Sequence, residues 1–425
     1  MLVLSISMFA GFQLCGCKAE AIAAEKEAVE IVLWKQAKED PFHDQQRVIF
    51  TENNPYITFD TIVREGDPGN DYLQGVAIGS APDFVLCSFA VIDAYIRAGI
   101  LAPLTEYWEN YEDKDKFVKN FIDMVSLDGE IYGVPHRGFP MLFGYNKALF
   151  ADAGLEGPPK TWDEMLEYAK ILTKPEVQQY GYNMLASQWC EWWFQYYVWQ
   201  AGGDLTKKNP DGTLTLTFTD PAVIEAAEYY QKLRREGLIQ PDITLNFEGL
   251  VKNFAAGKVG MMPFASDWVS WAVSLGMNPD DIGLAPFPAG PAGKTTAAIS
   301  GDVWVINPNI SQEKKDACWE YIKFRVSKDY LTGFYQDLEA KGAVNPDVLV
   351  RSDIKLTEIV NIDPSYEAAL NNAAQNGRAE FYGKSTVGKY IDQAVQKIVS
   401  DLNADPLTVF RDAQELATNE VLEGQ

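Results

Sequence analysis

The 425-residue sequence contains only two histidines, His43 and His136, and it has no HExxH or GxSxG motif. Most metal sites and acid–base sites that depend on histidine are therefore excluded. The 60 acidic residues offer many carboxylate pairs, so a pair suited to glycoside hydrolysis stays open at this level. The sequence favours a protein that is not an enzyme and that needs no cofactor and no metal.

Cysteine is scarce as well. Two of the five cysteines, Cys15 and Cys17, lie at the end of an apolar amino-terminal segment. The body of the protein then contains three, Cys87, Cys190 and Cys318. Because no CxxC pair or regular spacing occurs, the sequence predicts neither a disulfide framework nor a zinc ribbon. We expect the three remaining thiols to be buried as small hydrophobic side chains.

Basic residues are few relative to acidic ones. The chain has 36 Lys and Arg against 60 Asp and Glu, which gives a formal net charge of −24. Such a charge repels the phosphates of nucleic acids and anionic lipid surfaces, so we expect no nucleic-acid partner. The acidic residues form no long run, and a well-solvated surface accounts for them.

A long hydrophobic run occurs only at the amino terminus. Residues 1–14 are apolar and uncharged, and they fall short of the roughly 20 residues that span a bilayer. Leu14-Cys15-Gly16-Cys17 has the form of a bacterial lipobox, which predicts that residues 1–17 are a lipoprotein signal peptide ending at a lipidated Cys17. The usual Lys or Arg before the apolar stretch is missing, and a buried amino-terminal strand is the alternative. Residues 18–28, rich in Ala, Glu and Lys, are interpreted as a tether.

The rest of the chain alternates short β-branched runs with helical stretches. This alternation predicts an α/β fold with a mostly parallel sheet, whose ligand loops follow the carboxyl ends of the strands. The length fits two domains of comparable size. The strongest helical patterns cover residues 44–52, 70–78, 161–172, 221–236, 312–326, 389–402 and 408–422.

Aromatic residues are abundant, with 11 Trp, 20 Tyr and 22 Phe, and they are densest in the segment WCEWWFQYYVW at 189–199. On a helix these rings would point to at least two sides, so we expect some of them to face a cleft. Flat aromatic faces suit the C–H faces of sugars, while carboxylates and amides bind the hydroxyls. Packing between helices is the alternative for any single Trp.

Several short motifs follow one another along nearly the whole chain: the lipobox, GSAPD at 79–83, AGILAPL at 98–104, DGEIYGVP at 128–135, YNK at 145–147, PKTWDE at 159–164, FAAGKVGMM at 254–262, PFP at 286–288 and ACWEYIKF at 317–324. In order and spacing this set resembles the bacterial extracellular solute-binding proteins of ABC sugar importers, of the maltose-binding-like type. The resemblance implies a two-lobed periplasmic-binding-protein type II fold of the α/β class.

In that fold the ligand lies in a cleft between the lobes, and hinge crossings connect them. The crossings are implied near residues 136–139, 299–303 and 342–346 of this sequence. Ligand contacts to both lobes would bias the hinge toward closure. The implied division of the chain is residues 29–137 plus 302–345 for lobe 1 and residues 138–301 plus 346–425 for lobe 2.

The ligand-binding loops of the family, carried over by position, imply a set of contact residues: Trp34, Glu39, Asp40, Ser88, Arg137, Phe139, Trp192, Trp193, Asp267, Trp268, Asp302 and Arg378. Trp268 occupies a sugar-stacking position in this comparison. The sequence departs from the maltose-binding pattern at Cys87-Ser88-Phe89, where a Trp would be expected, and this argues against a long maltodextrin.

The resemblance also implies how the protein works in the cell. It implies a monomer held by a lipid anchor, in the periplasm or at the outer face of the cytoplasmic membrane. The protein would capture a mono- or oligosaccharide and deliver it to the transmembrane subunits of an ABC permease. Two alternatives stay open: binding of a non-sugar polar solute such as a polyamine or an anion, and a glycoside-active enzyme that uses an acidic pair in the same cleft.

Overall fold

The computed structural model describes residues 27–422. The predicted signal peptide, Cys17 and most of the predicted tether lie outside the described residues. Within residues 27–422 none of the helices is long and apolar enough to cross a membrane.

The strands of the described residues are β1 (Val29–Gln36), β2 (Ile57–Arg64), β3 (Phe84–Ser88), β4 (Ser126–Leu127), β5 (Glu130–Ile131), β6 (Val134–Asn146), β7 (Tyr180–Tyr182), β8 (Thr206–Lys208), β9 (Leu214–Leu216), β10 (Val259–Ala265), β11 (Ile282–Ala285) and β12 (Ile299–Ile306). The helices are α1 (Pro41–Asn53), α2 (Pro68–Ala77), α3 (Phe89–Arg97), α4 (Thr105–Glu109), α5 (Lys119–Met124), α6 (Lys147–Asp152), α7 (Trp162–Leu172), α8 (Cys190–Gln200), α9 (Pro221–Arg235), α10 (Phe247–Ala255), α11 (Trp268–Ser274), α12 (Gln312–Arg325), α13 (Lys328–Ala340), α14 (Leu356–Ile359), α15 (Glu367–Asn376), α16 (Lys384–Ser400) and α17 (Pro406–Ala417).

One mixed sheet runs through the molecule in the order β2-β1-β3-β12-β6-β10-β7, and β11 also pairs with β6. The long strand β6 joins two halves of this sheet. Its residues up to Pro140 pair with β12, and its residues from Met141 onward pair with β10 and β11. We call β2, β1, β3 and β12 the first half and β10, β11 and β7 the second half. The predicted mostly parallel sheet is in fact mixed, because β6 and β12 run antiparallel to their neighbours.

The core strands are apolar because helices cover both faces of the sheet. All seven residues of β10 are buried, and Ile31 and Leu33 of β1 are almost completely buried. The three cysteines of the described residues, Cys87, Cys190 and Cys318, are free and buried, as the sequence predicts.

Helix starts follow signals in the sequence. Thr161 accepts a hydrogen bond from the Glu164 backbone N–H at 3.2 Å and caps α7, as predicted. The Glu164 carboxylate reaches back to the Lys160 N–H at 2.7 Å, so each residue satisfies a donor at the helix start. In the same way Asp40 accepts from the Phe42 N–H at 2.9 Å and begins α1, with Pro41 at the first helical position.

Three connections run between the two halves: β6, the start of β12 and the segment around Val348. Gly138 of β6 and Val348 exchange two backbone hydrogen bonds, at 2.9 and 2.8 Å. Next to them the Asp347 carboxylate accepts from Tyr335 Oη at 3.0 Å and from Ser266 Oγ at 3.4 Å. The connections therefore meet in one hydrogen-bonded region. The predicted residue boundaries of the lobes stay a prediction.

Candidate functional site

A cavity of about 290 Å³ opens between the two halves of the sheet, and we call it the cleft. Its walls come from the middle of β6, the end of β10, the start of β12, the first residues of α3, α8 and α11, and the segment between α15 and α16. In α/β proteins, ligands commonly bind in crevices beside the ends of the strands. The lining residues are Phe89, Ala90, Phe139, Met141, Trp192, Ala265, Asp267, Trp268, Ala298, Ile299, Ser300, Ala379 and Glu380.

Two tryptophans, Trp192 and Trp268, form the largest aromatic walls of the cleft. Both are half-buried, so each keeps part of its ring open to the cleft. Phe247 lies behind them, with its ring centre 5.4 Å from that of Trp192 and 5.8 Å from that of Trp268. Phe264 packs at 5.8 Å from the other side of Trp268. Ring packing of this kind holds the two indoles in fixed orientations before any ligand binds.

The polar groups of the cleft include two carboxylates and two hydroxyls. The Asp267 carboxylate has no ion pair and no hydrogen bond to another side chain within residues 27–422, and partial desolvation raises its pKa. Glu380 lies 2.6 Å from the Lys384 ammonium, so its charge is compensated. On the first half, Ser88 Oγ and Ser300 Oγ lie 3.4 Å apart. Asp267 is thus the free acceptor of this site.

The cations around the cleft are held by carboxylates. Arg137 of β6 donates to Asp302 of β12 at 3.0 Å, and its guanidinium also lies over the rings of Phe139 and Phe334 at 4.8 and 5.3 Å. Arg378 pairs with Asp204 and stacks on Trp199 at 4.5 Å. Lys384 is likewise paired with Glu380. Among the described residues, none of these three cations around the cleft is unpaired.

Comparison with known protein families shows which family the chain belongs to. Residues 33–331 match the family described as bacterial extracellular solute-binding protein. The chain belongs to this family. A binding protein of Brucella abortus (strain 2308) is 30% identical over 335 residues, which cover 76% of this chain and 78% of that protein.

Two further comparisons add detail. The chain is 25% identical over 214 residues to the sn-glycerol-3-phosphate-binding periplasmic protein UgpB of Agrobacterium fabrum, with 48% of this chain and 47% of that protein covered. The crystal structure of the cyclic alpha-maltosyl-1,6-maltose binding protein from Arthrobacter globiformis superposes with a TM-score of 0.74 at 22% identity, over 94% of this chain and 100% of that one. The predicted two-lobed α/β fold of a solute-binding protein is confirmed.

Four of the predicted contact residues of this solute-binding protein line the cleft: Phe139, Trp192, Asp267 and Trp268. Ser88 lies beside it through its contact with Ser300, which is a lining residue. The structure therefore brings together predicted residues from both halves of the sheet, although they are separated by long stretches of sequence.

Two predicted tryptophans lie in the interior instead. Trp193 is fully buried and packs between Phe247 and Trp268, so it supports the cleft wall from behind. Trp34 is only 3% exposed and packs on Gly75, where a Cβ atom would lie 2.6 Å from its ring. In this conformation neither indole can contact a ligand in the cleft, which corrects the expectation from the sequence.

Several predicted polar residues are engaged elsewhere. Asp40 caps α1 and pairs with Lys341 at 2.7 Å. Glu39 lies 3.7 Å from Arg47, and burial raises the pKa of its carboxyl. These two side chains are not among those that line the cleft.

Arg137, Asp302 and Arg378 are also absent from the lining residues, and each is held in an ion pair. Each lies within two residues of a lining residue, but the sequence comparison gave only the segment. It did not show which side chain of a segment faces inward: near Arg378, the inward residue is Glu380.

The sequence predicts that some aromatic rings of the 189–199 segment face a cleft. Helix α8, which most of this segment forms, departs most from its prediction. Ten of its eleven residues are buried, and only Trp192 is partly open. The reason is that α9 and α16 pack against α8, and Tyr197 of α8 is hydrogen-bonded to Tyr182 of β7. Phe89 and Met141 line the cleft but were missed, because isolated apolar residues carry no signal in the sequence that separates a cleft wall from a core.

Proposed function

We propose that this solute-binding protein captures a neutral carbohydrate, a mono- or oligosaccharide, in the cleft and delivers it to the permease of an ABC importer. The observation that carries the proposal is the joint position of Trp192 and Trp268 beside the unpaired carboxylate of Asp267. Aromatic faces pack on pyranose C–H groups, and a free carboxylate accepts hydrogen bonds from sugar hydroxyls. Contacts to both halves of the sheet would favour a closed form, as expected for hinge closure.

The charges of the cleft argue against an anionic ligand such as sn-glycerol 3-phosphate, which the Agrobacterium relative is named for. A phosphate in the cleft would lie beside Asp267 and Glu380, with no unpaired cation in the walls. Two like charges 4 Å apart repel by about 4 kcal/mol at an effective dielectric constant of 20. A neutral polyhydroxylated ligand avoids this cost.

We also propose that the cleft is not catalytic. Glycoside hydrolysis needs an acid and a second carboxylate on opposite sides of the scissile bond. Among the described lining residues the carboxylates are those of Asp267 and Glu380, and Glu380 is tied to Lys384. A carboxylate held by an ammonium group is a poor proton donor.

The position of the protein in the cell is part of the same proposal. The family is one of extracellular solute-binding proteins. The lipobox before Cys17 supports a lipid anchor at that residue, with residues 18–28 as a tether. We propose a monomer outside the cytoplasmic membrane, with lobe 1 formed by residues 29–137 plus 302–345 and lobe 2 by residues 138–301 plus 346–425.

The test is a thermal-shift screen followed by calorimetric titration. Neutral sugars, sn-glycerol 3-phosphate and polyamines are compared on the wild type, on Asp267→Asn and on Asp242→Asn, an exposed aspartate on the loop before α10 as the matched control. A ligand at about 100 times its Kd adds roughly 2.7 kcal/mol to the free energy of unfolding. We expect a neutral sugar to give this shift, and Asp267→Asn alone to weaken it. Stabilisation only by glycerol phosphate, or only by amines, would overturn the carbohydrate proposal.

A further inference from the structure

Trp189, directly before α8, combines two unfavourable features. Its backbone has φ 67° and ψ 25°, the left-handed region that bulky residues rarely adopt. Its side chain is 56% exposed, the most exposed of the tryptophans that pack around Phe247. A strained backbone of this kind costs about 1–3 kcal/mol and persists only where the surrounding structure enforces it. The fold therefore holds this indole at the surface at a cost.

A partly buried carboxylate holds this position. Asp392 of α16 accepts hydrogen bonds from the Trp189 N–H at 3.1 Å and from the Glu191 N–H at 2.9 Å. It also accepts from Cys190 Sγ at 3.2 Å. The negative charge lies at the start of α8, where the helix dipole stabilises it. Three consecutive residues are thus fixed to one side chain of another helix.

The carboxyl of Glu191 lies beside the residues that Asp392 holds, and it is itself buried. It is 4% exposed, and desolvation, followed by the proximity of Asp392, raises its pKa to about 8. Burial beside another carboxylate therefore favours the neutral form of Glu191.

The ring of Trp189 lies next to a ring that supports both tryptophans of the cleft wall. Its centre lies 6.1 Å from that of Phe247, which is also the neighbour of Trp192 and Trp268 in the cleft wall. Only one ring separates the exposed indole from each of the two cleft tryptophans. With about 290 Å³, the cleft itself is at the lower end of the roughly 300–1,000 Å³ of small-molecule sites. A longer ligand has to extend beyond it.

We propose that Trp189 forms an outer subsite that stacks on a further sugar unit of an oligosaccharide whose first unit occupies the cleft. The inference rests on the proposed carbohydrate function and makes the ligand at least a disaccharide. Trp189 then determines preference for chain length, while Trp192 and Trp268 bind the unit that every ligand shares. The strain at Trp189 keeps the indole pre-oriented, which lowers the entropy lost on binding.

The experiment uses Trp189→Gly, because glycine adopts a positive φ without strain and the variant removes the indole without disturbing the turn. Trp189→Tyr keeps an aromatic face, and Val177→Ala changes another exposed apolar residue of the protein, 64% exposed, as the matched control. Dissociation constants are measured by calorimetry for a series of sugars from one to four units. We expect Trp189→Gly to bind monosaccharides within twofold of the wild type and to lose about tenfold for longer sugars. Trp189→Tyr should restore most of that loss, and Val177→Ala should match the wild type.

Equal loss at every length, or no loss at any length, would overturn the outer subsite. Unchanged binding with impaired uptake in cells would also overturn it, and would assign Trp189 to a contact with the permease. A wild-type protein that binds only monosaccharides would likewise refute the inference while leaving the proposed function intact. A wild-type protein that binds no sugar would instead refute the proposed function itself.

Discussion

Arg137 and Asp302 bind each other across neighbouring strands, with guanidinium Nη2 3.0 Å from carboxylate Oδ2. They lie on β6 and β12, the two strands that connect the halves of the sheet, and they are partners in the register of that pairing. Gly301 permits the close approach of the strands, since a Cβ atom there would lie 2.0 Å from the Arg137 carbonyl oxygen. The pair therefore stabilises the connection between the halves.

Breaking this pair should destabilise the fold. Arg137→Met leaves Asp302 in a largely buried position without its cation, and we expect the free energy of unfolding to fall by roughly 3 kcal/mol. Urea denaturation of Arg137→Met, Asp302→Asn and the double variant measures the effect. The double variant should lose much less than the sum of the two single variants. Wild-type stability together with abolished sugar binding would instead assign Arg137 to the ligand.

Trp192 and Trp193 should respond differently to truncation. Trp193→Ala removes a fully buried indole, and we expect it to cost about 3–5 kcal/mol of unfolding free energy. Trp192→Ala removes a cleft wall, so it should cost less stability and abolish most ligand binding. Urea titration and calorimetry on both variants separate the two roles. Equal stability losses with equal affinity losses would contradict the assignment.

Trp268→Ala should lower both affinity and stability, because its half-buried ring serves the cleft and also packs on Phe247 and Phe264. We expect loss of most sugar binding with a stability loss smaller than that of Trp193→Ala. The same two measurements apply. Wild-type affinity for every sugar would remove Trp268 from the binding surface.

Arg378→Ala should leave ligand affinity within twofold of the wild type. The guanidinium pairs with Asp204 and stacks on Trp199, and its side chain is 45% exposed. Exposed ion pairs contribute about 0–1 kcal/mol, so the stability change should also be small. A tenfold loss of sugar affinity in calorimetry would show that Arg378 turns toward the cleft when the ligand binds.

Glu191 should make the protein less stable as pH rises. Its pKa is raised to about 8 in the folded state from an ordinary 4.5, so between these values the folded state binds more protons than the unfolded state. Each pH unit in that window then costs at most about 1.4 kcal/mol of unfolding free energy. Glu191→Gln removes the titrating carboxyl. The wild type should therefore lose stability relative to the variant as the pH rises from 5 to 8. Parallel pH profiles of the two proteins would show that Glu191 does not titrate in this range.

The sequence alone was sufficient for features that depend on local patterns. The alternation of runs predicted the α/β fold, Thr161 and Glu164 predicted the start of α7, and the ordered motifs predicted the family. The resemblance to the family also implied contact segments, and Phe139, Trp192, Asp267 and Trp268 from those segments line the cleft. These signals are local or depend only on order along the chain, so they can be read without coordinates.

The tertiary structure decided which side chain of each segment faces the ligand. Trp192 and Trp193 are adjacent in sequence, but they project about 100° apart on α8, and only their neighbours make one a wall and the other core. The pairs Arg137–Asp302 and Asp40–Lys341 join residues 165 and 301 positions apart and neutralise side chains that look free in the sequence. The exposed, anchored Trp189 depends on Asp392, which is 203 positions away. Charge compensation and burial are set by such long-range contacts, and these exist only once the chain has folded.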